Sequence, residues 1–183
     1  MSLVAARKTG RTGRVVAFEP SPPLIEYLSY HKRVNRLTQM EIVPKAVTNK
    51  DAAEVRFFLV REGAAPMNAL AETGGLDICR EGETVISVEA ITLDSYSRQT
   101  GLIPNLIKID TEGAEILVCD GAKQLLANHH PVLIVGVHPL WLPEGQTIEQ
   151  LFATLKACGY RVTESKTCEY KGADFGDYLF IAG

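Results

Sequence analysis

The stretch "IKIDTEGAE" places three carboxylates within six residues, Asp110, Glu112 and Glu115, around a glycine at 113. Acids so closely spaced suit three chemistries. They could ligate a divalent cation through oxygen, hold the ammonium of an amino-acid-like ligand, or favour the start of a helix through its dipole. The dipole is enough to account for Glu115, which is expected to face solvent or to pair with Lys108 or Lys123. Asp110 directly follows an apolar run, where a carboxylate has few structural duties, and is the stronger functional candidate. Two further residues stand in the same relation to an apolar run: Glu19 after "RVVAF" and His138 after "LIVGV". Glu19 offers two acceptor oxygens and no donor, which matches the vicinal diol of a ribose. It could equally support the helix that begins near Ser21. His138 titrates near neutrality and could act as a general base. It could also be a structural histidine hydrogen-bonded to backbone beside Pro139, and spacing alone favours that role.

The elements that must carry these residues follow from periodicity and punctuation. "SLVAARK" has helical composition for about two turns. "RVVAF" is a strand, after which Ser21 and Pro22 open a helix reaching about Leu37. "MEIVPKAV" reads as a second strand and "AEVRFFLV" as a third. Residues 61–82 carry several glycines and a proline with little periodicity, the pattern of a long functional loop or lid. "TVISVEAI" gives a strand and residues 93–100 a short helix. "LIKID" and "PVLIVGV" are apolar strands separated by a helix-rich stretch. Thr147 and Gln150 form a capping box for a helix ending at Gly159. "YRVTES" and "DYLFIA" follow one another with no helix between them, as an antiparallel edge pair. Apolar strands alternating with helices predict a mostly parallel sheet covered on both faces. In such sheets ligands bind at the carboxyl ends of the strands. Glu19, Asp110 and His138 are therefore expected to face one crevice.

With 183 residues, 46% hydrophobic and 22% charged, the chain reads as a single domain, residues 1–183, with a substantial core. A formal net charge of -3 gives no reason to expect nucleic acid or acidic lipid as partner. The basic run "RKTGRTGR" reads as a solvated connector. The four cysteines, Cys79, Cys119, Cys158 and Cys168, show neither a C-x-x-C pair nor zinc-ligand spacing. No apolar run has the length of a signal peptide or a membrane span, so a reducing cytoplasm is the expected setting.

Taken in order, "GRVVAFEPSP", "VEAITLDSY", "LIKIDTEGAE" and "PVLIVGVHP" resemble the FkbM family of S-adenosylmethionine-dependent methyltransferases. The resemblance covers most of the chain from Ser2 to about Pro139. It implies a Rossmann-like methyltransferase fold, S-adenosyl-L-methionine as cofactor, and transfer of a methyl group to a small-molecule or sugar hydroxyl. Residue by residue, it implies that Glu19, followed by Pro20, binds the cofactor ribose. Lys45, Ala46 and Val47 would line the adenine. Asp110 would lie near the methionine part of the cofactor and the acceptor, with Glu112 in the same signature. His138 or Asp110 would take the hydroxyl proton, and the scheme requires no metal. Many members also carry an acid two positions before this histidine, where this chain has Gly136.

The resemblance further implies a strand and a glycine-rich turn ahead of "SLVAARKTG", neither of which the chain contains. The expected fold is accordingly N-terminally incomplete. It would lack a central strand between "RVVAF" and "LIKID", bind cofactor weakly and tend to self-associate. Two other classes compete with the enzyme reading. One is a truncated, non-catalytic domain serving as a binding or assembly module. The other, a nicotinamide-dependent oxidoreductase, accounts for Glu19 but not for "KIDTEGAE".

Overall fold

The computed structural model describes residues 1–59, 68–70 and 84–183. Two parallel pairs carry the apolar strands identified above. Strand β1 (Val15–Phe18) pairs with β2 (Met40–Val43) across helix α2 (Pro22–Val34), and helix α1 (Ser2–Lys8) packs against them. Strand β7 (Leu106–Ile109) pairs with β8 (Val132–Val137), with Ile109 opposite Val135. Between those strands the chain forms α4 (Glu115–Asp120) and α5 (Lys123–His129).

The expectation of one mostly parallel sheet is corrected. The described strands form three sheets, ordered β1-β2, β7-β8-β10-β9 and β3-β6-β4-β5, and the two larger ones are mixed. Here β3 is Ala46–Val47, β4 Ala52–Leu59, β5 Ala69–Leu70, β6 Thr84–Ile91, β9 Tyr160–Tyr170 and β10 Ala173–Ala182. Two local causes are visible. "MEIVPKAV" is not one strand, because Pro44 has no N–H for a ladder and Lys45 N–H turns back to the Val43 carbonyl at 2.8 Å. The chain then leaves β2 and pairs as β3 with β6. Only four residues separate β3 from β4, too few for a parallel crossover, and β4 duly runs antiparallel to β6. Within the expected loop, Ala69 and Leu70 are buried strand residues paired to β4; residues 60–67 and 71–83, including Cys79, lie outside the described residues.

The antiparallel pair β9 and β10 forms as expected, with β10 also joined to β8. Helix α3 (Leu93–Thr100) is capped by Thr92, and α6 (Ile148–Ala157) by the Thr147–Gln150 box. No pairing joins β1 to β7 among the described residues, so the sheet is interrupted between those two strands. The core divides in the same place. A large cluster contains Leu133, Val135, Val137, Leu126, Leu151, Leu155 and Phe180. A small one contains Ala6, Ala17, Leu37 and Met40. Phe18 at the end of β1 packs on the large cluster and meets Tyr96 edge-on at 4.9 Å. Cys119 and Cys158 are free and buried, as apolar helix positions require.

Candidate active site

Asp110 and His138 leave the carboxyl ends of neighbouring parallel strands, and this brings their side chains together. His138 Nε2 lies 3.7 Å from Asp110 Oδ1 and 3.7 Å from Glu112 Oε2. Its other nitrogen, Nδ1, lies 2.8 Å from Glu115 Oε1. The imidazole is 14% exposed and is clamped by aromatic rings. Trp141 stacks on it at 5.2 Å with planes 8° apart, and Phe175 meets both rings edge-on. Trp141 comes from the short 3-10 turn Pro139–Trp141 that follows β8, so Pro139 fixes where the stacking partner falls.

Glu115 corrects the expectation of a solvent-facing acid. Its side chain is 0% exposed and pairs with His138 rather than with Lys108 or Lys123. Oε1 also accepts from the backbone N–H groups of Thr111 at 3.2 Å and Gly113 at 3.1 Å, and from the Thr111 hydroxyl at 3.4 Å. The signal was present in "EILVC". A helix that is apolar on every side is buried on every side, and its first residue is then buried too. An acid there needs partners, which the turn before the helix supplies.

That turn is tightly specified. Glu112 has φ +52° and Gly113 φ +102°. A Cβ on Gly113 would sit 2.0 Å from the Trp141 carbonyl oxygen, so glycine is required by both conformation and space. The left-handed bend at Glu112 turns its carboxylate toward His138. Burial raises the Glu112 pKa, reinforced by the charges of Asp110 and Glu115 and opposed by His138 and Lys108. For His138, burial works to lower the pKa. The Glu115 hydrogen bond and the charges of Glu115, Glu112 and Asp110 outweigh it, and the value is raised.

Gly136 lies on β8 two positions before His138. A Cβ there would lie 2.9 Å from Asp110 Oδ1 and 3.2 Å from Lys108 Nζ. The bare backbone lets Lys108 reach across β8 to Asp177 at 2.6 Å while staying 3.4 Å from Asp110. An acidic side chain at this position would crowd a second carboxylate against Asp110.

Glu19 stands at the tip of β1, and no hydrogen bond or ion pair joins it to the His138 group among the described residues. Its Oε1 accepts the Ser21 N–H at 2.9 Å, the local contact anticipated for an acid at a helix start. Burial raises its pKa, while that hydrogen bond pulls the other way. Lys45 pairs with Glu89 of β6 at 2.6 Å, and Ala46 is buried in β3. That segment therefore has backbone, rather than a free side chain, to offer a ligand. Pro20 leads directly into the buried Ser21 and helix α2. An open cleft of ≈ 870 Å³ lies elsewhere, between α2 and β2, and holds none of these candidates.

Parallel β-α-β connections within mixed sheets, with a carboxylate-held imidazole at the strand tips, define an α/β domain with a candidate site at one sheet edge. The Methyltransferase FkbM domain model matches residues 1–162, and the chain belongs to that family. The fold is similar to the crystal structure of Methyltransferase FkbM from Methylobacillus flagellatus KT, with a TM-score of 0.57 and 15% sequence identity. The match covers 97% of this chain and 39% of that protein, so the chain spans well under half the length of its structural neighbour. Comparison with curated proteins finds no match. Among the described residues no helix is long and apolar enough to cross a membrane.

Proposed function

We propose that the domain is an S-adenosylmethionine-dependent methyltransferase that acts on a hydroxyl of a small molecule or sugar, on a Rossmann-like framework. The observation that carries the reading is the 2.8 Å contact between Glu115 Oε1 and His138 Nδ1 at the tip of β8. A buried carboxylate on Nδ1 favours the tautomer with the proton on that nitrogen. The Nε2 lone pair then faces the space beside Asp110 and Glu112. A raised pKa makes that nitrogen a stronger base, and a general base within reach of an acceptor hydroxyl accelerates its reaction by about 10²–10⁴-fold.

S-adenosylmethionine, when bound, supplies an electrophilic methyl group. In this chain Glu19 would hold the ribose diol, because its carboxylate is partly desolvated at a strand tip, next to Pro20. The backbone of Lys45, Ala46 and Val47 would lie beside the adenine. Asp110 and Glu112 would face the acceptor, while Trp141 stacks on one face of the imidazole and Phe175 meets its ring edge-on, and together they hold it in place.

A second reading, a non-catalytic binding or assembly module, is favoured by the interruption between β1 and β7. Calorimetric titration with S-adenosylmethionine separates the two. The enzyme reading expects saturable binding that Glu19→Ala weakens by about 1.5–3 kcal/mol, the scale of a hydrogen bond to a charged group. Absence of binding by the intact domain would leave the module.

A further inference from the structure

We propose that Asp110, Glu112 and His138 form a binding site for one divalent cation of the first transition row. One oxygen from each carboxylate and one imidazole nitrogen lie within 4.8 Å of one another. With Nε2 3.7 Å from an oxygen of each acid, a point equidistant from the three lies about 2.4 Å or less from each. Ligand distances in zinc sites are about 2.0–2.2 Å, so side-chain adjustments of a few tenths of an ångström close the shell.

Three observations outside the distances point the same way. First, the far nitrogen of His138 is held by a buried carboxylate. This is the arrangement that fixes a metal-ligating imidazole and strengthens it as a donor. Second, negative charge is left over. Lys108 is engaged by Asp177 and Asp110, while Glu112 and Glu115 form no ion pair with a lysine or arginine among the described residues. Glu115 Oε2 is buried without a hydrogen-bond partner. Third, Asp110 is half exposed, which leaves a path for an ion and room for water or a ligand oxygen to complete its shell.

The donor set decides the class of ion. Calcium and magnesium favour all-oxygen shells, whereas imidazole with carboxylate suits zinc, cobalt, nickel or iron. Among the described residues no thiol belongs to the set: Cys119 and Cys158 are buried in the helical layer and Cys168 lies on β9. The inference needs only these three side chains and stands apart from the methyl-transfer reading. Where that reading also holds, ion and proton compete for the same Nε2 lone pair, and loading the site slows turnover.

The test is a titration of the chelator-treated 183-residue chain with Co²⁺ followed by visible absorption, and with Zn²⁺ followed by calorimetry. The expected result is about one equivalent of either ion per chain. Affinity should fall at least tenfold in His138→Ala and in Glu112→Gln, and be retained in Asp177→Asn, which lies outside the set. Among the described residues the Glu112 side chain forms no hydrogen bond with the core, so Glu112→Gln keeps the test decisive if His138→Ala fails to fold. Undiminished one-to-one binding in Glu112→Gln would overturn the proposal. So would an intense thiolate-to-cobalt band, which places the ion on cysteine, or no binding at millimolar metal.

Discussion

Replacing Glu115 with alanine tests the site's electrostatics at its most buried point. The wild-type carboxylate takes four contacts on one oxygen: two backbone N–H groups, the Thr111 hydroxyl and His138 Nδ1. Alanine strands the Gly113 N–H in a buried position and leaves His138 without its counter-charge. An unsatisfied buried donor costs about 1–3 kcal/mol, and breaking a buried charge pair about 3–5 kcal/mol. These overlap, and removing the unpartnered Oε2 returns some desolvation energy. A net loss of about 3 kcal/mol is expected, a large share of a domain's usual 5–15 kcal/mol. Glu115→Gln keeps an acceptor for the backbone and should lose about half as much.

The loss should depend on pH in a defined direction. The folded pKa of His138 lies above its unfolded value. Its contribution is therefore fully present below about 6.5 and disappears as pH rises through the raised folded value. Urea unfolding of wild type and Glu115→Ala should show a wider gap at pH 5.5 than at pH 9. A gap below about 1 kcal/mol, or one that does not change with pH, would refute a charged Glu115–His138 pair.

Gly113→Ala should lose about 2–5 kcal/mol, because overpacking against the Trp141 carbonyl adds to a forced left-handed backbone; unchanged thermal unfolding would contradict the tight turn. Glu19→Gln should raise the unfolding midpoint at pH 7 but not at pH 4. Burial raises this acid's pKa, so stability tied to its neutral form is lost as pH climbs through that value. Equal midpoints at pH 7 would oppose this. The same variant should bind S-adenosylmethionine more weakly, the trade expected of a ligand-facing acid. Strands β1 and β7 each pair on one side only among the described residues, and Leu106 on β7 is 53% exposed. Edge-to-edge association should follow, read as a concentration-dependent mass by light scattering and reduced by Leu106→Lys; a monomer at all concentrations would refute it.

Asp110 and His138 were legible because each ends an apolar run, and parallel strands deliver such ends to one edge. The Thr147–Gln150 box was legible because a cap is local chemistry, whereas the helix at residues 93–100 was read without its Thr92 cap. Glu115 was misjudged because a helix-start acid has an adequate local explanation, and only the burial of the whole helix removes it. Trp141 and Phe175 were missed because they lie 3 and 37 positions after His138 and meet it only through the turn after β8 and the β8–β10 pairing. The separation of β2 from β3 rested on Pro44, which was visible but read as part of a strand. Among the described residues no hydrogen bond or ion pair joins Glu19 to the His138 group, and β1 belongs to a sheet that the described pairings do not connect to β7.

The most direct test of the account is the pH profile of methyl transfer from labelled S-adenosylmethionine to a panel of sugar and small-molecule alcohols, by wild type and His138→Ala. Wild-type kcat/KM should rise with pH through a His138 pKa displaced above the ordinary histidine value. His138→Ala should lose about 10²–10⁴-fold in turnover, together with that inflection, while cofactor affinity is kept. Near-normal turnover with an unchanged profile in His138→Ala would contradict the account and remove His138 as the base.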